Sequence, residues 1–149
     1  FDEFLGEYAE FKTFFHGHSY TGNALGSAAS LASIELLQTK ATTNKRKKLA
    51  TNLRTEAKRL WALPQVGDIR QAGCVLAVEL VRDWRTRAPF ALDEQAGIRV
   101  CNGLAKRGVL TRSVGNVIVV MPSFCTTQRQ VKKIFGTLHD SIAETLKQP

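Results

Sequence analysis

Apolar residues recur at intervals of three and four in four stretches of the chain, the spacing that one face of an amphipathic helix requires. The first stretch predicts a helix over residues 23–39 that begins near Gly22 or Asn23, and its many alanines and serines indicate close packing against a neighbour. The second predicts a helix over residues 45–62, after a polar break at 40–44.

The other two helices lie in the second half of the chain. Asp93 is the predicted N-cap of the third helix and Gly108 its C-terminal stop, and the last helix begins at Thr126 or Thr127. Spacing alone assigns four residues to the inward face of that last helix: Val131, Ile134, Leu138 and Ile142.

Between the helices the hydrophobic period falls to two, which predicts β-strands. Residues 66–71 and 74–81 form one predicted hairpin around an Ala-Gly turn, and residues 109–112 and 117–121 flank a Gly-Asn turn. The order of two helices, a hairpin, a helix, two strands and a helix predicts an α/β fold. Its small, largely antiparallel sheet is covered by helices and preceded by a long helix.

Residues 1–15 are rich in aromatic side chains, and Phe4, Tyr8 and Phe11 would share one face if this segment were helical. So large an aromatic surface predicts a partner that covers it.

Length and composition limit the protein to one domain with a modest core, because the chain has 149 residues of which 44% are hydrophobic. It has no apolar run of membrane length and no signal-peptide pattern, which predicts a soluble cytoplasmic protein. The single methionine is Met121, so we expect the sequence to be a fragment of a longer protein. Three cysteines without a CxxC pair indicate neutral thiols and favour neither a disulfide framework nor a zinc ribbon.

The formal net charge of +8 raises nucleic acid as a partner. Much of this charge lies in the run Lys45-Arg46-Lys47-Lys48, without the interleaved aromatic residues that stack on bases. A solvated helix face is the simpler interpretation, and an acidic partner domain is an alternative.

Polar groups converge where the first helix begins, in His16-Gly17-His18-Ser19-Tyr20-Thr21-Gly22-Asn23. Free amides and the positive end of the helix dipole favour a phosphate or carboxylate there, and the hydroxyls add donors. The alternative is a helix start whose Ser, Thr and Asn side chains only cap the helix. His16 and His18 could also face one side and chelate a metal, but the only other histidine is the distant His139.

Three segments resemble the class III, fold-type I aminotransferases that use pyridoxal phosphate: FKTFFHGHSYTGNALGSAASLASIELL, VGDIRQAGCVLAVELVRD and GVLTRSVGNVIVVMPSF. The resemblance implies the C-terminal small domain of a fold-type I transferase. Residues 1–22 would then end the large cofactor-binding domain, residues 23–62 would be connecting helices, and residues 63–149 would form the small α/β domain.

The resemblance also implies roles for particular residues. Gly17 would lie against substrate, His18 and Ser19 would contact the cofactor phosphate, and Arg112 would hold the substrate carboxylate. The loop would reach the neighbouring subunit's site, which implies a homodimer. The Schiff-base lysine would lie upstream of residue 1, so no catalytic residue is assigned within this chain, and we expect the chain to be inactive alone. Ser113 and Ser123 stand where family members commonly have proline.

The implied reaction moves an amino group from S-adenosylmethionine to 8-amino-7-oxononanoate, giving 7,8-diaminononanoate in biotin biosynthesis. One alternative is another class III aminotransferase that acts on ω-amino acids or diamines. A second alternative is a non-catalytic interaction module that keeps the fold.

Overall fold

A computed structural model describes residues 1–147, which fall into two compact units. The first unit comprises residues 1–39, and the second begins at Lys40. Within the described residues, no helix combines the length and the apolar character needed to cross a membrane.

The first unit has little regular structure before its helix. Two short 3₁₀ turns, Asp2–Phe4 and Tyr8–Glu10, replace the helical face suggested for the aromatic residues. That suggestion is wrong because Phe11 adopts a left-handed conformation with φ of 51°, which ends the second turn. The aromatic rings still contact one another, with Phe4 and Phe14 centroids 5.2 Å apart.

Helix α1 spans Ala24–Gln38, as its spacing predicts, with Asn23 as its N-cap. The Asn23 side chain accepts a hydrogen bond from the Gly26 amide at 3.0 Å, which satisfies one of the free donors at the helix start. Every residue of α1 is exposed in the described chain, so the packing neighbour predicted from its small residues stays a prediction.

The described residues of the second unit form three α-helices and five strands. Helix α2 spans Lys40–Ala57 and continues into a 3₁₀ turn, Lys58–Ala62. The remaining elements are β1 (Val66–Ala72), β2 (Val75–Asp83), β3 (Ala88–Pro89), α3 (Ala96–Lys106), β4 (Arg112–Val114), β5 (Val117–Val120) and α4 (Gln128–Thr145).

The strands form one sheet in the order β1-β2-β5-β4, and β3 pairs with the end of β2. All pairings are antiparallel, which confirms the predicted α/β class with its small antiparallel sheet. Leu76 lies opposite Val120 and Val78 opposite Ile118, so alternate residues of both strands point to one face.

That face meets the helices in a single apolar core. Helix α4 packs between α2 and α3, and its residues Val131, Phe135, Leu138 and Ile142 are at most 1% exposed. The basic run lies on α2, where its three lysines are exposed and Arg46 lies over the Phe124 ring at 5.9 Å.

Three predicted boundaries are wrong. Helix α2 begins at Lys40, not after a polar break, because the single extended residue Thr39 ends α1 and no glycine or proline follows it at 40–44. Asp93 lies within a 3₁₀ turn and does not cap α3. The helix begins after Gln95, whose backbone adopts a left-handed conformation. The strand predicted at residues 109–112 lies instead at Arg112–Val114 (β4), because the two-residue Gly-Asn turn pairs the residues that directly flank it.

Candidate functional site

The loop before α1 is held by its own hydroxyl group. The Thr21 Oγ1 accepts a hydrogen bond from the His18 amide at 2.7 Å, while the Thr21 amide donates to the His18 carbonyl at 2.9 Å. These two bonds close a compact turn around Ser19 and Tyr20. Gly22 follows with φ of 81°, a conformation that favours glycine, and turns the chain into the helix.

This turn presents polar donors without partners in the described chain. The first amides of a helix have no intrahelical acceptor, and the Asn23 side chain satisfies one of them. The Ser19 hydroxyl makes no hydrogen bond with any other described residue. A Cβ on Gly17 would meet only Thr21 Oγ1, at an ordinary 3.6 Å, so packing within the described chain does not require glycine there.

The aromatic rings of the loop lie along one side of the segment. The His18 ring stacks on Tyr20 at 5.1 Å and meets the edge of His16 at 5.2 Å. No His, Cys, Asp or Glu of the described residues joins the two histidines as a third metal ligand.

Arg112 is the first residue of β4 and lies opposite Val119 of β5. Thr111, the residue before Arg112, also binds Val119, because the Thr111 hydroxyl donates a hydrogen bond to the Val119 carbonyl. The hairpin therefore sets the backbone from which the Arg112 side chain extends.

Arg112 lines an apolar cleft of about 440 Å³ between the hairpin and helices α3 and α4. The described residues lining this cleft include one charged side chain, that of Arg112, beside apolar residues such as Leu110, Met121 and Ile134. Other arginines of the unit bind carboxylates, for example Arg82 with Glu94 at 2.5 Å. Arg112 has no such partner among the described residues.

Residues to which the sequence assigned no role in binding hold the Arg112 hairpin. Gly97 lies directly against the Gly115 carbonyl, Cys101 lies beside Ser113, and the Asn116 side-chain amide donates to the Phe90 carbonyl at 2.7 Å. Burial raises the pKa of the Cys101 thiol, and the hydrogen bond from Ser113 partly opposes this shift. A glycine near the start of a helix, where alanine is the better helix former, is the signal that could have identified Gly97.

The structure thus places His18 and Ser19 in one turn of the first unit, directly after Gly17, and Arg112 on a hairpin of the second unit. Each place carries donors suited to an anionic group. Ser123, the second departure from the family's prolines, lies within 3.1 Å of the Cys125 sulfur, in the segment before α4.

Comparison with known proteins gives the class. The family described as class III aminotransferase matches residues 5–142, and the chain belongs to this family. A curated relative from Geobacter sulfurreducens, adenosylmethionine-8-amino-7-oxononanoate aminotransferase, is 44% identical over 142 residues. The match covers 95% of this chain and 31% of that protein.

Solved structures give the same result for the fold. The adenosylmethionine-8-amino-7-oxononanoate aminotransferase of Methanocaldococcus jannaschii matches with a TM-score of 0.83 and 34% identity, over 97% of this chain and 33% of that one. An omega-aminotransferase from Paracoccus denitrificans matches with a TM-score of 0.82 and 26% identity, over 92% of this chain and 30% of that one. The chain spans about a third of the length of the curated relatives it matches.

Proposed function

We propose that the protein containing this chain transfers an amino group from S-adenosylmethionine to 8-amino-7-oxononanoate. The names of relatives at 41% and 44% identity support this reaction. The observation that carries the proposal is Arg112, a guanidinium without an acidic partner among the described residues, in a cleft lined otherwise by uncharged, mostly apolar side chains. Such a cleft suits an acceptor that joins a carboxylate to a hydrocarbon chain.

We propose pyridoxal phosphate as the cofactor, and the loop before α1 fits its phosphate. His18 and Ser19 would contact the phosphate, with the Ser19 hydroxyl and the free amides at the start of α1 donating to its oxygens. When bound, pyridoxal phosphate supplies the electron sink that amino transfer needs. This chain's contribution is to anchor the phosphate and to leave room beside Gly17 for substrate.

We further propose that the loop acts across the interface of a homodimer, in the cytoplasm. The exposure of the whole first unit supports a surface that a second copy could cover. Residues 1–22 would then end the large domain, 23–62 would connect the domains, and 63–149 would be the small domain.

Arg112 would bind the acceptor carboxylate through two parallel hydrogen bonds, which fix the acceptor's orientation. The test is Arg112→Ala in the full-length enzyme, assayed with 8-amino-7-oxononanoate and with its methyl ester. A hydrogen bond to a charged group contributes about 1.5–3 kcal/mol, so the KM for the acid should rise roughly 10- to 150-fold. The KM for the ester should stay near the parent value.

Arg129→Ala is the matched control, because Arg129 is an exposed arginine in the first turn of α4 and does not line the Arg112 cleft. Its KM for the acid should equal that of the parent enzyme. If Arg112→Ala raises the KM for the acid and for the ester equally, or raises neither, Arg112 does not bind the carboxylate and the proposed substrate is wrong.

The similarity to an omega-aminotransferase supports a second candidate within the same family. A donor panel separates the two: S-adenosylmethionine should outperform ω-amino acids and diamines with the full-length enzyme. The reverse order would favour the second candidate, and a full-length protein without a cofactor-binding lysine would favour a non-catalytic module.

A further inference from the structure

The hairpin that carries Arg112 is approached very closely by the start of α3. A Cβ atom built on Gly97 would lie 2.2 Å from the Gly115 carbonyl oxygen and 2.7 Å from Ser113 Cβ. Separations below 3.0 Å are essentially never seen for real Cβ atoms, and the Gly115 oxygen is backbone, which cannot rotate aside. Glycine is therefore required at position 97 for this contact.

The same helix face makes a second contact with the hairpin. Cys101 lies one helical turn after Gly97, and its thiol lies beside the Ser113 hydroxyl. Ser113 and Gly115 follow Arg112 by one and three residues. The helix therefore touches the hairpin immediately beside the arginine.

The turn is also held by polar contacts at Asn116. Asn116 Nδ2 donates to the Phe90 carbonyl at 2.7 Å, and the Leu80 amide donates to the Asn116 carbonyl at 2.9 Å. Because close-packed contacts transmit displacement, a change in the α3 contact at Gly115 is expected to shift the hairpin that carries Arg112.

We propose that Gly97 is a positioning residue that sets where the Arg112 guanidinium meets the acceptor carboxylate. This inference rests on the proposed role of Arg112. A methyl group at position 97 must push the Gly115 turn away by roughly an ångström, and a displacement of that size at a substrate-orienting group can cost about 100-fold. The helix itself would favour alanine over glycine, so the effect is not one of helix propensity.

The test is Gly97→Ala in the full-length enzyme. The KM for the acid acceptor should rise about 10- to 100-fold, while kcat and the KM for the methyl ester change little. Gly103→Ala is the matched control on the same helix, because its Cβ would meet Ser141 atoms at an ordinary 3.4 Å. That variant should keep the parent KM for the acid.

A double-mutant cycle separates positioning from a general structural effect. In an Arg112→Ala background, Gly97→Ala should add nothing further to the KM for the acid, because the group it positions is gone. Equal loss of acid and ester activity in Gly97→Ala would overturn the inference, as would a full additional loss in the Arg112→Ala background.

Different results would contradict the proposed function and the positioning role of Gly97. If Arg112→Ala does not change the ratio of acid to ester activity, the proposed function fails. If Arg112→Ala changes this ratio and Gly97→Ala does not, only the positioning role fails.

Asn116→Ala keeps the inference testable if Gly97→Ala does not fold. It removes one hydrogen bond that holds the turn and adds no bulk or charge. The KM for the acid should rise about threefold to tenfold, the range for one neutral hydrogen bond, and this rise should vanish in the Arg112→Ala background. A KM equal to that of the parent, or a rise that persists without Arg112, would overturn the inference.

Discussion

Replacing Ser19 with alanine removes one hydroxyl group from the turn before α1. Because that hydroxyl makes no hydrogen bond with any other described residue, its loss leaves the contacts of the turn intact. Thr21 differs, because its hydroxyl accepts a hydrogen bond from the His18 amide at 2.7 Å. Removal of the Thr21 hydroxyl would therefore loosen the turn itself. Ser19→Ala therefore tests a contact with a ligand and not the stability of the loop.

The expected magnitude follows from the charge of the phosphate. A hydrogen bond to a charged group contributes about 1.5–3 kcal/mol, and each 1.4 kcal/mol is a factor of ten in a dissociation constant. The Kd of the full-length protein for pyridoxal phosphate should therefore rise roughly 10- to 150-fold. The measurement is a titration of the cofactor-free enzyme with pyridoxal phosphate, followed by protein fluorescence.

Two controls isolate the phosphate contact. Ser19→Thr keeps the hydroxyl donor and should bind pyridoxal phosphate with the affinity of the parent. Pyridoxal, which lacks the phosphate, should bind the parent and Ser19→Ala equally. An unchanged Kd for pyridoxal phosphate in Ser19→Ala would reduce this segment to a capped helix start, and an equal loss for pyridoxal would assign the effect to another part of the cofactor.

Three further predictions use the second unit. Arg112→Lys keeps the charge but not the two-point geometry, so its KM for the acid acceptor should lie nearer that of Arg112→Ala than that of the parent. Phe135→Ala should lower the free energy of unfolding by about 3–5 kcal/mol in urea, because this ring is fully buried, whereas exposed Leu92→Ala should change it by less than about 0.5 kcal/mol. The hydrogen bond from Arg82 holds the pKa of the Glu94 carboxyl below its usual value, with help from the Ala91 amide. The stabilisation from the Arg82–Glu94 pair is therefore fully present above the ordinary glutamate pKa and is lost as the pH falls through the lowered pKa of Glu94. Glu94→Gln should consequently show a smaller drop in Tm between pH 7 and acid pH than the parent.

The elements most accurately predicted are those that local pattern determines. Helix α4 begins after Thr127, and Val131, Leu138 and Ile142 are buried as their spacing requires. The same spacing missed Phe135, which is fully buried, because a helix packed between two others buries more than one narrow stripe. Periodicity finds the centre of a buried face better than its width.

The boundaries that failed depend on single residues. A polar composition at 40–44 resembles a loop, yet these residues extend α2 because their polar side chains are compatible with an exposed helix surface. The short strand before the Gly-Asn turn is predicted too early, because the apolar pair Val109-Leu110 resembles a strand although only Arg112–Val114 pair with β5. Hydrogen-bond pairing, which the turn determines, overrides local composition there.

The two candidate anion sites differ in how far along the chain their determinants lie. The loop before α1 is built from contacts between near neighbours, such as His18 with Thr21 and Asn23 with Gly26, each three residues apart. A short motif can therefore encode it completely. The hairpin of Arg112 is fixed from a distance, by Asn116 bonding Phe90 across 26 residues and by the close approach of Gly97. A motif around Arg112 identifies the arginine but not what holds it. The acceptor affinity should consequently respond to substitutions well outside the motif, whereas the phosphate affinity should depend on residues within it.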